Sequence, residues 1–287
     1  MRQLFASDIV RVADWRCPGH DQGERAEWGE GHAVVVTRRG AFVREVEGER
    51  FFLDAASAAF WHPDEEYRVR HPVPGGDHCS VFELPPGAAA ALVGRSLDAS
   101  DAEPRRARFP RRQAPLDGPA YLLHARAFRL AADAEAGALA VEEAAVAFLH
   151  AAVAAARDGA PAGQPPTRQA AEYAARVRAL LARRWAEPLS LGDIARAVGC
   201  SPFHLSRLVA AREGITIHQL RLKLRLRAAL ERLLDTREDV AAIAFAVGFA
   251  SHSHLGDAFR REFGTTPSAV RRLAARAPRR LPRAPDR

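Results

Sequence analysis

Two short stretches of this 287-residue chain carry side chains suited to reading the edges of nucleic-acid bases. In the first, Phe203, His204, Ser206 and Arg207 follow Ser201-Pro202. In the second, His252, Ser253, His254, Gly256 and Asp257 follow Val247-Gly248-Phe249. Arginine takes guanine through two parallel hydrogen bonds, phenylalanine packs on a thymine methyl, and serine or histidine serves base edges or phosphates. The second stretch fits this chemistry less well. Gly256 offers no side chain, and phosphate repels Asp257, which is left with a cytosine amino group or a neighbouring Arg260 or Arg261 as partner. Base reading by this stretch is therefore open, and backbone contact is its alternative. Ser190, Arg221, Arg225, Arg260 and Arg261 are the candidates for phosphate contact, helped by helix starts near Ser190 and Asp239. Each of these residues is also an ordinary occupant of a solvated surface.

The elements that must position these side chains repeat. Ile194-Ala195-Arg196-Ala197-Val198-Gly199-Cys200 resembles Ile243-Ala244-Phe245-Ala246-Val247-Gly248-Phe249 at an offset of 49. Downstream, Leu205 matches Leu255, Val209 matches Phe259, Gly214 matches Gly264 and Thr216 matches Thr266, at an offset of 50. Each copy reads as two helices joined by a tight turn. Ser190 with Asp193 forms a helix start. Gly199 and Gly248 stand where the first helix ends, because glycine accepts the left-handed conformation at little cost. Ser201-Pro202 restarts the chain as cap and first helical residue. Leu205, Leu208 and Val209, like Leu255, Ala258 and Phe259, face inward and leave the candidate residues outside. A helix over roughly Ile217 to Leu234 joins the copies. At 1.5 Å per residue it spans about 27 Å, close to one DNA turn.

Charge is divided in the same way. From Arg168 onward there are 23 Lys and Arg against 11 Asp and Glu, whereas the preceding residues hold 19 against 24. A basic rear joined to an acidic front fits a nucleic-acid reader attached to something else. The chain divides into a front of short strands (1–115), an Ala-rich helical segment (116–157), a Gly/Pro linker (158–168), the helical repeat (169–275, with units at about 190–212 and 239–262) and a basic tail (276–287). In the front, His32–Thr37, Ala41–Val46, Arg50–Leu53, Ala58–Trp61, Tyr67–Val69 and Cys79–Leu84 are predicted strands. Arg39-Gly40 and Glu47-Gly48 are predicted turns. The fold class is α+β in two domains, a β-barrel or sandwich with helices followed by an all-α domain. Leu122, Leu123, Ala127 and Leu130 are predicted to share one helical face. Leu139, Ala140, Glu143, Val146, Leu149 and Val153 share another.

The rear segment, about Glu172 to Leu273, resembles the DNA-binding domain of the AraC/XylS regulators. The most specific part is Ile243-Ala244, Val247-Gly248-Phe249, Ser253, Phe259-Arg260-Arg261, Phe263-Gly264, Thr266-Pro267 and Arg271. The first copy, from Ile194-Ala195 through Ser201-Pro202, His204-Leu205, Arg207 and Gly214, also fits. The front is similar to the cupin-like sensor domains of many such regulators, through Gly40, Pro63, the Pro72–Pro74 stretch and Gly75-Gly76-Asp77-His78-Cys79. The resemblance implies a transcriptional regulator, often an activator. It binds double-stranded DNA in two successive major grooves with some bending, works with RNA polymerase, forms a homodimer and answers to a small-molecule effector.

Trp15, His32, Trp61, Tyr67 and His71 are the candidates to line an effector pocket at a barrel mouth. The Ala-rich helices are the candidate dimer surface, with closure over the β domain as the alternative. An enzyme reading draws on His62, His71, His78 and Cys79 as metal ligands, but a tight His-x-His arrangement is missing, so no metal, cofactor or catalytic residue is expected. A DNA-repair methyl acceptor needs more cysteines than Cys17, Cys79 and Cys200. Redox sensing by Cys17 or Cys79 needs an exposed, acidic thiol. Without a long uncharged apolar run or a secretory start, no membrane span is expected and a cytoplasmic location is.

Overall fold

The computed structural model describes residues 1–19, 26–94, 107–158 and 168–276. The expected linker and basic tail lie almost wholly outside the described residues. The front domain begins with β1 (Arg2–Ala6), β2 (Arg11–Cys17), β3 (Glu27–Trp28), β4 (His32–Gly40) and β5 (Phe42–Val46). It continues through β6 (Glu49–Leu53), β7 (Ser57–Trp61), β8 (Glu66–Arg70) and β9 (Asp77–Leu84) to the short helix α1 (Pro86–Leu92) and β10 (Gln113–Pro115). Six strands form one sheet in the order β1-β2-β9-β4-β7-β10, and four form a second, β3-β8-β5-β6. The sheets face each other as a sandwich, and among the described residues their hydrogen bonds do not join into a closed ring. The β5–β6 hairpin turns on Glu47 and Gly48, both with positive φ (49° and 80°), as a two-residue hairpin requires.

Strand alternation sorts the six-stranded sheet into two faces. Val12, Val34, Val36, Ala58, Phe60 and Phe82 point to one side and are buried with helices α2 (Gly118–Ala132) and α3 (Ala138–Asp158). The ring of Phe82 lies 4.8 Å from that of Phe148 and 6.0 Å from that of His124. Val35, Ala59 and Cys79 point to the other side, into the sandwich, where Phe42 and Leu53 meet them. The Ala-rich helices therefore close over the sheet and belong to its core.

Their buried faces differ from the expected ones. In α2 Tyr121, His124, Ala125 and Phe128 are buried while Leu122, Leu123 and Leu130 are only partly so. In α3 Leu149 and Val153 are buried as expected, but Leu139, Ala140 and Glu143 are exposed and Phe148 takes the inner position. Aromatic residues set the register here, since each buries more area than an alanine row can. By length and composition α3 is apolar enough to cross a membrane. Its largest apolar residues, however, are covered by α2 and the sheet.

Among its described residues the rear domain has seven helices: α4 (Arg168–Arg184), α5 (Leu191–Val198), α6 (Pro202–Glu213), α7 (Ile217–Asp235), α8 (Val240–Ala246), α9 (His252–Phe263) and α10 (Pro267–Arg276). It packs directly on the front domain. Arg178 of α4 donates two hydrogen bonds to Asp54, at 2.8 and 3.1 Å, and one to Glu213 at 2.8 Å. Arg227 of α7 donates to the Leu116 carbonyl at 3.1 Å and lies over the ring of Tyr121, whose hydroxyl donates to Glu231 at 3.2 Å. Gly118, at the start of α2, sits so close to α9 that a Cβ there would lie 1.7 Å from the Glu262 carbonyl oxygen.

Candidate nucleic-acid interface

Each repeat forms the expected pair of helices. Ile194, Ala195, Val198, Leu205 and Val209 are buried in the first, and Ile243, Ala244, Val247, Leu255, Ala258 and Phe259 in the second. The helix ends are built from matching bonds. The amide of Cys200 donates to Ala195 O at 3.0 Å, and that of Phe249 to Ala244 O at 2.9 Å. This is the Schellman closure of a helix around a left-handed glycine, here Gly199 (φ 74°) and Gly248 (φ 82°). The second helices start on Ser201 and Ser251, whose hydroxyls accept from the His204 and His254 amides. Ser190 and Asp193 form a reciprocal capping box, and Asp239 caps α8.

This packing leaves the candidate base-reading residues outside. Phe203 is 89% exposed, the most exposed of the large apolar side chains among the described residues. Ser206 and Arg207 follow it at helical spacing, and Arg207 is exposed. His204 is half-buried. The Tyr173 ring meets it edge-on at 6.4 Å, and Arg207 Nη2 lies 3.4 Å from its Nδ1. On α9, His252, Ser253, His254 and Asp257 are exposed. The His254 ring packs edge-on against Phe249 at 5.1 Å, so it partly serves the turn. Asp257 stands 3.8 Å from Arg260 in an exposed pair, and its carbonyl accepts from Arg261. The front of α9 is thus less basic than that of α6. One exposed residue had no signal in the repeat: Phe245 of α8 is 63% exposed and occupies the position of Arg196 in the first copy.

The candidate phosphate contacts divide. Arg260 and Arg261 are exposed at the end of α9. Arg221 and Arg225 have another task. Arg221 donates to the Trp185 and Leu189 carbonyls at 3.1 and 2.9 Å, and Arg225 to those of Trp185 and Ala186 at 2.7 and 3.1 Å. Together they satisfy the carbonyls just beyond the end of α4, where a helix leaves acceptors unpaired. Burial lowers the pKa of both guanidiniums. Ser190 is occupied by its capping box, with its hydroxyl 2.6 Å from Asp193. Arg271 repeats the carbonyl-capping task in the second copy, donating to Thr236 and Glu238.

Gly248 joins these features. Beyond its positive φ, a Cβ there would lie 2.5 Å from the Ala186 carbonyl oxygen and 2.7 Å from Arg225 Nη2. Gly199 has the same φ requirement and open space around it. Gly248→Ala is therefore expected to cost about 2–3 kcal/mol in urea unfolding, against ~1 kcal/mol for Gly199→Ala, where only backbone strain acts. Equal losses would mean that the close packing under the second turn is not there.

The front-domain candidates do not share one place. Trp61, Tyr67 and His71 gather at the sandwich interior. The Trp61 and Tyr67 rings are 6.0 Å apart, and Phe42 lies 6.3 Å from Trp61 and 6.5 Å from His71. Buried Arg44, paired with Glu65, stacks on both Trp61 and Tyr67. Trp15 pairs with Cys79 across the β2–β9 ladder and stays 43% exposed. His32 lies on the opposite face of the sheet, where its Nε2 bonds with the Ala107 carbonyl at 2.8 Å and its ring meets Phe109. It is a structural residue, because strand alternation turns it away from Trp61. Of the metal-ligand candidates, His62 accepts from the Phe109 amide at 3.0 Å, and His78 lies across from Arg16 and Arg39. Cys79 is buried, and burial pushes its thiol well above the ordinary range. A protonated, enclosed thiol is a poor redox sensor.

Residues 194–273 match a family model described as a helix-turn-helix domain. Over this part the chain is similar to the HTH-type transcriptional regulator GlxA of Rhizobium meliloti (strain 1021), 38% identical over 85 residues, which are 30% of this chain and 26% of the relative. It is similar also to the urease operon transcriptional activator of Escherichia coli, 36% identical over 81 residues, 28% of this chain and 27% of the relative. The chain thus spans about a quarter of the length of these curated relatives. A solved transcriptional regulator from Chromobacterium violaceum, described as having an AraC-type DNA-binding domain, is 31% identical. It covers 38% of this chain and 96% of that one, with a TM-score of 0.36. The doubled helical unit, its glycine turns and the signature that ends at Arg271 lead to one conclusion: over residues 194–273 the chain carries a helix-turn-helix domain of the AraC type.

Proposed function

We propose that this chain is a sequence-specific regulator of transcription whose first recognition helix, α6, reads bases and whose second, α9, mainly holds the DNA backbone. The observation that carries this reading is the pairing of a closely packed back with an open front: Leu205 and Val209 are fully buried on α6, while Phe203 and Arg207 are exposed on the other side, Arg207 within 3.4 Å of His204 Nδ1. An exposed phenylalanine beside an arginine suits a thymine methyl next to a guanine. Two units in one chain, joined by the 19-residue α7, suit two grooves of one duplex.

The front domain then serves as the sensor, with a small effector at the Trp61, Tyr67 and His71 end of the sandwich. The wider roles follow from the family: a homodimer in the cytoplasm, contact with RNA polymerase, activation of transcription and no catalysis. The exposed strip of α3, with Leu139 at 69% exposure, is the dimer surface we favour.

Footprinting with the full chain on its own upstream DNA tests the core of this reading. Arg207→Ala is expected to weaken specific binding by ~1–3 kcal/mol and to relax selection at one base pair. Phe203→Ala is expected to weaken specific binding too, with the melting temperature unchanged because its side chain is exposed. Unchanged affinity and selectivity in both variants would remove α6 as the reader.

A further inference from the structure

Spacing in the sequence keeps Cys17, His71 and Asp77 apart, and the fold brings them together. Cys17 ends β2 and stands directly across from Asp77, which starts β9. His71 follows β8 and reaches the same point from the other sheet. The Cys17 sulfur, one ring nitrogen of His71 and one carboxylate oxygen of Asp77 all lie within 4.8 Å of one another. We propose that these three residues form a site for a thiophilic divalent cation of the zinc class.

Three observations support the site beyond proximity. First, it holds an unmet donor. The His71 side chain is only 5% exposed, its Nε2 lies 2.7 Å from Asp77 Oδ2, and its Nδ1 is buried without a hydrogen-bond partner. A buried ring nitrogen left alone is costly, and an ion bound through Nδ1 satisfies it while the Nε2–H stays on Asp77. Second, the carboxylate is already oriented. Asp77 Oδ1 accepts the S–H of Cys79 at 3.0 Å, as outer groups orient ligands in metal sites. Third, the backbone around it is tightly packed. A Cβ on Gly76 would lie 1.8 Å from the Cys17 carbonyl oxygen, and one on Gly40 would lie 2.1 Å from that of Gly76. Both glycines have positive φ, so the loop before Asp77 is fixed against the end of β2.

The donor set decides the kind of ion. A thiolate, an imidazole and one carboxylate suit zinc or cobalt and do not suit magnesium or calcium, which take oxygen shells. Tetrahedral bonds of about 2.0–2.3 Å place ligand atoms roughly 3.3–3.8 Å apart, a separation that lies inside the 4.8 Å spread of the three donor atoms. Cys17 is half-exposed, which gives the ion a way in and lets the displaced thiol proton leave to water. Three protein ligands leave a fourth position for water or for a donor atom of another ligand. The His71 ring itself lies 6.5 Å from Phe42, which packs in the aromatic interior of the sandwich. The site belongs to the front domain alone, so metal binding and DNA binding can fail separately.

The test uses full-length protein, reduced with a phosphine and stripped of metal, without DNA. Cobalt(II) is expected to bind at one equivalent with a thiolate-to-cobalt charge-transfer band and the visible bands of a tetrahedral ion, and zinc is expected to displace it. Cys17→Ser should abolish the charge-transfer band. His71→Ala and Asp77→Asn should weaken binding by at least about tenfold, and Cys200→Ser should leave it intact. Circular dichroism checks that each variant is folded. A measurement on the unmodified chain accompanies these: zinc should protect Cys17 from alkylation, read by mass spectrometry. The proposal is overturned if the band is missing, if it survives Cys17→Ser, or if zinc leaves Cys17 alkylation unchanged. His71 and Asp77 would then be an internal hydrogen-bonded pair and nothing more.

Discussion

Replacing Arg178 with alanine is expected to lower the stability of the full chain by about 3–5 kcal/mol, because it strands a buried carboxylate at the contact between the two domains. Asp54 is 1% exposed and receives two of the three Arg178 hydrogen bonds; Glu213 receives the third. Burial by itself would lower the Arg178 pKa, yet Asp54 and Glu213 outweigh it and the net shift is upward. The guanidinium is therefore held firmly as a cation, and its loss leaves Asp54 with only its local bond to the Ala56 amide. Loss of the pair differs from its replacement. Arg178→Met with Asp54→Leu removes both charges and fills the space, and it is expected to recover most of the loss, as apolar substitutes for buried ion pairs often do. In urea, Arg178→Ala should unfold in two steps, the docked domains separating first. A single transition at the wild-type midpoint would mean that this contact does not hold the domains together.

How much of this was legible in the sequence depended on whether the signal was local. The turns of the repeat were readable because a left-handed residue followed by a cap leaves a dipeptide trace, Gly199 before Ser201-Pro202. All six predicted strands of the front domain appear because each carries a run of β-branched or aromatic residues. The strands β1 and β2 were missed, since Arg2, Asp14 and Arg16 interrupt the pattern. Asp14 is buried all the same, beside Arg38 and 3.2 Å from Arg16. The roles of Arg221 and Arg225 were out of reach for another reason. An arginine that caps carbonyls more than thirty residues away looks, in one dimension, like an arginine that meets phosphate. His32 and Trp61 were grouped by chemistry, and only the pleat of β4 separates them. The Cys17, His71 and Asp77 cluster depends on strand pairing, which no spacing rule encodes.

Glu231 gives the contact between the domains a dependence on pH. It lies on α7, 6% exposed, with the Tyr121 hydroxyl donating to it at 3.2 Å. Burial raises its pKa from 4.5 to about 7; Asp235 adds to the rise, and Arg38, Arg39 and the Tyr121 bond work against it. The folded chain therefore binds this proton more tightly than the unfolded chain does. The stabilisation is full below about pH 4.5, falls as the pH rises and is gone once the pH passes about 7. Glu231→Gln keeps an acceptor for Tyr121 and has no charge to bury, so it should lack this decline. Relative to wild type, its stability is expected to rise by about 3 kcal/mol between the acid and alkaline ends of that window and to level off above it. Paired urea titrations of both proteins across the range measure the difference directly and cancel every other titrating group. If the two stability curves run parallel from acid to neutral pH, Glu231 ionises in the folded protein as it does in water, and the closed contact between α2 and α7 must be more open than the geometry requires.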